Sequence, residues 1–484
     1  MKRIRLFLVN MGVHTRSFPI VTAPMGLLSI AAYVRPKMPV DVMVVDQRLD
    51  NLTPDEVIRQ AVDFGADVVG FSPVTSSVHG LPVLAQKTRV ALPNALILVG
   101  GPHASAVCGA ILEETCADIV VKGEGEAATE MILRAWAEGG RDFGGIPGII
   151  WRDSAGELVH NPGVTPLIED MDQIPIPAYD LIEFPRYWAS QSAVPLHNRR
   201  YASLVTSRGC PYHCVYCHNT FGKTIRMFSA ERVAEELAHL QKSYGISDFE
   251  FHDDNFNFKP GRVIQICEIL KQRDIQTRFA FPNGLRSDLL SNEVVDALVS
   301  AGMYQCCMAL ETGSPRLQRF ILKHMDIPKL LGWAEYITSK RVFVNLLCMM
   351  GFPTETEEEL RATIDVAASS ACHTANFFTV TPFPGSTLYE TVRREQPEKL
   401  AKIRYDDTDI TAMRVNLTDL PDETLFYYQR LALRRFYMNP RRIFRLLRAH
   451  PQPWILPGYI PILFFRATKD LLPSPTDKRP GQTH

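Results

Sequence analysis

Residues 207–219 read SRGCPYHCVYCHN, which places Cys210, Cys214 and Cys217 within eight residues, with Asn219 after them and no fourth cysteine close behind. At roughly 2% cysteine, a C-x3-C-x2-C spacing at a nominated position arises by chance in only about a few chains per thousand of this length. The three thiols are therefore a signal. A structural zinc site wants four ligands, and His213 and His218 stand inside or beside the loop instead of at second-pair spacing. Three thiolates suit a cubane iron–sulfur cluster better, because its fourth iron can stay free of protein. An iron left open can bind a small molecule directly, by the logic of any open catalytic metal position.

Working outward, "YASLVTSRGC" is a strand entering the loop, and "SAERVAEELAHLQKSYG" is the helix that follows it. Strand-like "DFEFHDD", "TRFAFPNG", "YQCCMALETGS", "VFVNLLCMMGFP" and "TANFFTVTPFPGS" then alternate with amphipathic segments. Six strands in such an alternation predict a partial (β/α)6 barrel with its polar positions at strand ends.

Upstream, "IRLFLVN", "VDVMVVD", "ADVVGFS", "ALILVGG" and "DIVVKGEGE" are short β-branched strands separated by helical stretches. In "TPDEVIRQAVDFG", Pro54 and Gly65 mark the limits of a helix. Five βα units imply a doubly wound, Rossmann-like parallel sheet, in which ligands sit beyond the carboxyl ends of the strands. The loops there are small, Gly-rich and hydroxyl-rich: "DQR", "GFSPVTSS" with Ser72, Val74 and Thr75, "GGPHAS" with Gly100, Gly101 and His103, and "GEGE" with Gly123 and Glu124. They suit close backbone approach to a large polar cofactor. The fold class is thus α/β. Residues 1–145 are expected to form the Rossmann-like domain, 146–197 a hairpin and a proline-rich linker packed over a surface, 198–395 the barrel, and 396–484 a helical C-terminal region.

With 52 basic against 53 acidic residues, the chain has no overall field for nucleic acid, so no such partner is expected. The start, "MKRIRLFLVNMG", reads as a strand and not a signal peptide, and the run Trp454–Phe465 is short and broken by Pro457 and Pro461. The expected compartment is the reducing cytoplasm, where Cys108, Cys116, Cys267, Cys306, Cys307, Cys348 and Cys372 read as small buried hydrophobes.

"CPYHCVYC", including Tyr216 before the third cysteine, resembles the signature of radical S-adenosylmethionine (SAM) enzymes. That resemblance implies a [4Fe–4S] cluster on Cys210, Cys214 and Cys217 whose open iron is chelated by SAM; reductive cleavage of the sulfonium then yields a 5′-deoxyadenosyl radical. By the same resemblance, Asp253 or Asp254 in "FHDDNF" would accept from the methionine ammonium, and Glu311 in "ALETGS" would face the ribose. "MMGFPTETEEE" would be the adenine-side strand and turn, with Thr354 and Glu357 at capping-box spacing. "TPFPGSTLYE" matches the sixth strand.

The first domain resembles the cobalamin-binding domain of the large radical SAM subfamily that joins the two units, a subfamily that includes methyltransferases and anaerobic tetrapyrrole cyclases. The Asp-x-His-x-x-Gly motif that supplies a lower cobalt ligand is absent, so His103 is carried over as lining only, and Ser72, Val74 and Thr75 would lie near the lower face. The resemblance covers about residues 4–395. It implies transfer of a methyl group by way of methylcobalamin to an unactivated carbon, or to phosphorus, of a small-molecule, lipid or tetrapyrrole substrate, with an external reductant of flavodoxin or ferredoxin type. A cobalamin-dependent cyclase or oxidase is the alternative within enzymes, and a cobalamin- or redox-sensing binding protein the alternative outside them. The basic, aromatic stretch "RRFYMNPRRIFRLLRAHPQPW" reads as a helical cap that packs through arginine stems, or as a peripheral membrane contact.

Overall fold

The computed structural model describes residues 3–13, 20–194, 196, 199–405, 415–450 and 452–458. The first sheet is built from β1 (Ile4–Asn10), β2 (Val40–Asp46), β3 (Val68–Ser72), β4 (Leu96–Val99) and β5 (Ile119–Val121), parallel and in the order β2-β1-β3-β4-β5. The expected hairpin, β6 (Ile149–Arg152) and β7 (Leu158–His160), continues this sheet antiparallel beyond β5. Alternation along β1 feeds two cores: Leu6 and Leu8 face one cluster, Phe7 and Val9 the other. Helix Pro54–Phe64 begins at Thr53, which exchanges capping-box hydrogen bonds with Glu56, and ends on Gly65 at φ 67°.

The proline-rich linker does more than lie over a surface. Tyr179, Phe184 and Tyr187 are buried. The Tyr179 hydroxyl donates to Glu236 at 2.6 Å, and the Tyr187 hydroxyl donates to Asp46, at the end of β2, at 2.9 Å. Tyr179 stands in a single 3-10 turn, Tyr179–Leu181, and Phe184 and Tyr187 in a short helix, Phe184–Trp188, with Pro185 in its first turn. These large side chains, the two tyrosines with a polar tip, bridge the two units.

The second sheet begins with β8 (Tyr201–Leu204). A two-residue ladder, β9 (Ser207–Arg208) with β10 (Arg226–Met227), brackets the cysteine loop. Then come β11 (Asp248–Phe251), β12 (Arg278–Phe281), β13 (Met303–Glu311), β14 (Phe343–Met350) and β15 (Thr374–Thr379). All six main strands are parallel, in the order β15-β14-β13-β12-β11-β8, and β8 and β15 are left as edges, so the barrel is open. One continuous hydrophobic cluster joins this sheet to the first, running from Leu6 and Leu28 through Tyr179 and Phe184 to Leu204 and Phe249.

Two local expectations change. The capping box after β14 is Thr356 with Glu359, not Thr354 with Glu357. Thr354 instead takes φ 64° in the turn, and its hydroxyl accepts from Arg316 at 3.1 Å. Of the seven cysteines outside the loop, Cys108 and Cys116 are only half-buried: Cys108 stands at the junction of two short helices and Cys116 in the turn before β5.

The same turn holds a buried carboxyl. Glu355 accepts from the Gly351 and Phe352 N–H groups at 2.6 and 3.0 Å, yet burial pushes its acid up to about 8. A carboxyl raised on folding contributes stability that is intact below its ordinary value of 4.5 and is lost as pH rises through about 8. Glu355→Gln keeps the acceptor and removes the charge. Its melting temperature is expected to fall less than that of the parent between neutral and mildly alkaline pH, and parallel pH slopes would refute this.

Helix Asp422–Tyr437 packs through Leu425, Tyr428, Ala432 and Phe436, whereas helix Pro440–Ala449 buries only Arg442. Residues 406–414 and 459–484 lie outside the described residues, so the Trp454–Phe465 run is described only as far as residue 458. No helix among the described residues is long and apolar enough to cross a membrane.

Candidate functional site

The cysteine loop is held from several sides. Gly209 has φ 87°, and a Cβ there would collide with the Thr224 carbonyl oxygen. The Val215 N–H donates to the Ile321 carbonyl at 3.1 Å, the Leu388 N–H donates to the Val215 carbonyl at 2.7 Å, and Lys223 Nζ donates to the Tyr212 carbonyl at 2.7 Å. Val215 and Tyr216 also pack on a separate core of Leu317, Ile321, Phe352, Val380 and Leu388. Gly209→Ala is therefore expected to cost at least about 2 kcal/mol through left-handed backbone strain and collision. Iron and sulfide content after reconstitution should fall with it, and a variant that loads iron like the parent would refute the claim.

Around the loop, the acidic residues divide their work. Asp253 Oδ1 accepts from the Thr206 N–H and from the Thr206 and Ser207 hydroxyls at 3.1, 2.8 and 2.5 Å, tying β11 to the start of the loop. Asp254 faces a cavity beside Cys217, with its carboxylate 3.6 Å from His218 Nε2, and burial raises its acid. At the end of β13, Glu311 takes φ 63°, and its Oε1 accepts from Lys323 at 2.7 Å and from the Tyr216 hydroxyl at 3.0 Å. Burial first, and then the facing Glu311 charge, lift the Tyr216 phenol well above its ordinary value, so it stays a donor.

The carboxyl ends of the two sheets face each other. A cavity of about 750 Å³ is walled by Val74, Thr75, Pro102 and Lys122 on one side and by Cys217, Asp254 and Phe383 on the other. A second, of about 310 Å³, is enclosed by the first domain's Gly-rich loops, including Ser72, Gly100, Gly101, Gly123 and Glu124, together with Arg208 and Phe221. Between the units runs a buried ion network. Arg208 donates to Glu124 at 2.7 Å, to Glu126 at 2.6 Å and to Ser29 at 3.1 Å, and Arg226 also pairs with Glu124.

Two family profiles match the chain: B12 binding domain over residues 13–133 and Radical SAM superfamily over residues 204–367. An uncharacterized methyltransferase of Pyrococcus horikoshii is 33% identical over 372 residues, covering 76% of this chain and 78% of the relative. The chain belongs to the cobalamin-binding radical SAM methyltransferases. The cytidylyl-2-hydroxyethylphosphonate methyltransferase of Streptomyces wedmorensis is 29% identical over 464 residues, 84% of this chain and 85% of that one. In fold, the methyltransferase is similar to the cobalamin-dependent SAM radical enzyme OxsB, solved with aqua-cobalamin and SAM bound. The TM-score is 0.74 at 16% identity, covering 96% of this chain and 72% of the other.

The methyltransferase's cofactors are a [4Fe–4S] cluster, SAM and cobalamin, and its residues fit them. Three unpaired cysteines sit on one braced loop. Beside Cys217, Asp254 sets a carboxylate in the wall of the larger cavity, where a polar ligand can meet it. In the first domain, Gly101 at φ 90° would place a Cβ 2.6 Å from Ser72 Oγ, so only glycine lets these two loops close together.

The structure also redistributes the residues expected at the site. His103 lines neither of these two cavities: it is buried, with Nδ1 3.1 Å from the Thr75 hydroxyl, so it orients a lining residue without being one. Glu124 lines the smaller cavity, but both of its oxygens are engaged by arginines. Lys122, Arg208, His218, Phe221, Lys323 and Tyr405 were not foreseen. Only the CHN that follows the signature and the basic residue before Gly209 hinted at any of them, because each gains its role from a partner distant in the chain.

Proposed function

We propose that the enzyme methylates an unactivated carbon, or a phosphorus, of a small molecule held in the cavity of about 750 Å³. The observation that carries this reading is that one cavity is walled by Val74 and Thr75 from the first domain and by Cys217 and Asp254 from the second. The bound cofactors would supply hydrogen abstraction from one wall and a methyl carrier from the other. Methyl transfer needs both within reach of one substrate atom.

In this reading, residues 1–145 hold cobalamin, 198–395 hold the cluster and SAM, 146–197 joins them and 396–484 is a helical C-terminal region. Cys210, Cys214 and Cys217 ligate iron. Asp254 receives the methionine ammonium, while Asp253 positions the loop through Thr206 and Ser207. Glu311, oriented by Lys323 and Tyr216, is the candidate ribose acceptor. Ser72, Val74, Thr75, Gly100, Gly101 and Gly123 shape the cobalamin site. A cytoplasmic reductant of flavodoxin or ferredoxin type would deliver the electrons.

The test is anaerobic reconstitution with iron, sulfide and cobalamin, then addition of reductant and methyl-labelled SAM with candidate substrates. Methylation predicts 5′-deoxyadenosine together with label in the product. Substrate-dependent 5′-deoxyadenosine with no label in the product would replace methylation with ring formation or oxidation.

A further inference from the structure

The helix Pro440–Ala449 is amphipathic in the opposite sense from a helix that caps a core. Its inward residue is an arginine. Arg442 is 1% exposed, and its guanidinium donates to the Ala368 and Ser370 carbonyls at 2.7 and 3.1 Å and to the Cys372 carbonyl. It also lies 3.6 Å from the centre of the Phe436 ring. These carbonyls belong to the C-terminal end of helix Glu357–Ser369 and the turn after it, where backbone acceptors lack intrahelical partners and the helix dipole favours a cation. With a longer contact from Arg445 to the Ser370 carbonyl at 3.5 Å and the buried His450 ring edge-on to Phe343, this polar anchor fixes the helix to the barrel.

Its outward residues are apolar. Ile443, Phe444 and Leu447, three and four positions apart along one face, are 45%, 65% and 50% exposed. Met438 and Trp454, before and after the helix, are both 72% exposed. Arg441 and Arg448 are exposed along one border of this stripe. Between residues 424 and 458 there are seven arginines and not one acidic residue, in a chain whose net charge is −1.

We infer that this face docks, in the plane of the interface, on an anionic lipid surface. An apolar stripe bordered by arginines with an aromatic residue beside it enters the boundary between headgroups and acyl chains, while the guanidinium groups stay with the phosphates. Charge decides between occupants. A second copy would bring the same excess of arginine to the contact, whereas an anionic bilayer neutralises it. Because Arg442 and not the stripe holds the helix to the barrel, the face is available without unfolding anything.

The test is co-sedimentation of the full chain with vesicles of phosphatidylcholine alone or mixed with phosphatidylglycerol. The parent is expected to pellet with the anionic vesicles and at least about tenfold less with the neutral ones. Phe444→Asp combined with Leu447→Asp, both at exposed positions, should lower anionic binding at least about tenfold and leave the melting temperature and 5′-deoxyadenosine formation in solution unchanged. Four results would overturn the inference: a parent that stays in the supernatant with anionic vesicles, a double variant that pellets like the parent, a parent dimer in light scattering that the variant converts to monomer, or binding that appears only after residues 459–484 are removed. The third assigns the face to a second copy and the fourth to the chain's own tail.

Discussion

Cys214→Ala is expected to abolish iron–sulfur loading and to lower 5′-deoxyadenosine formation by about three orders of magnitude or more. Removing one thiolate from a set of three leaves no substitute nearby: Cys214 stands on the loop with Cys210 and Cys217, and the remaining cysteines are in other elements. Loss of a metal centre that carries the chemistry forfeits several kcal/mol of barrier lowering, at about 1.4 kcal/mol per tenfold. The variant should still fold, because the loop is braced by the Val215 and Leu388 backbone bonds and not by the Cys214 side chain. Cobalamin retention is the control, since Cys214 lines neither the larger cavity nor the cavity enclosed by the Gly-rich loops. The measurements are iron and sulfide content, bound cobalamin and 5′-deoxyadenosine yield. A variant with normal iron and normal yield would remove Cys214 from the ligand set.

Arg208→Met should destabilise the folded chain by about 3–5 kcal/mol, the usual consequence of leaving a buried ion network with one partner removed. For a chain of this length the melting temperature should drop by about 3–5 °C. Arg208 pairs with both Glu124 and Glu126, and all three are at most 9% exposed. Burial alone would raise the Glu126 acid, but the Arg208 charge and the bonds from Arg208 and Ser29 outweigh it and hold the acid below its ordinary 4.5. A carboxyl lowered on folding contributes stability that is present above about pH 4.5 and is lost as pH falls through the folded value. In the variant the burial effect is uncompensated and the acid rises. The gap in melting temperature between parent and variant should therefore narrow from neutral pH toward pH 4.5. Adding Glu126→Gln to Arg208→Met should recover part of the loss, because it removes one stranded charge. A gap independent of pH, with no recovery, would show that Arg208 contributes packing alone.

Several parts of this architecture were legible because the features that specify them are local. The limits of helix Pro54–Phe64 were visible in its proline and glycine because caps act within one turn. The barrel strands were visible because buried parallel strands are continuous apolar runs. The misplaced capping box shows the limit of such reading. "TETEEE" offers two threonine–glutamate pairs at the same spacing, and the choice between them was made by the backbone of the turn, where Thr354 is left-handed and Glu355 turns inward to the Gly351 N–H. His103 and Glu124 were legible as residues of the right loops but not in their orientation, since Thr75 and Arg208 claim them from elsewhere.

Sequence by itself determined that this chain carries a three-cysteine cluster loop at the head of a (β/α) series, behind a sheet whose loops admit a large cofactor. Glycine, cysteine and strand spacing are local properties, and no folded context is needed to read them. Only the tertiary structure decided that the two carboxyl edges face one another across a shared cavity, that Asp254 and not Asp253 lines it, and that Arg208 joins the domains. It also decided that helix Pro440–Ala449 turns Arg442 inward and Phe444 outward. Each of those outcomes depends on which desolvated group finds a partner from a distant segment, and the cost of burying a polar group unpaired is incurred only once the chain has closed around it.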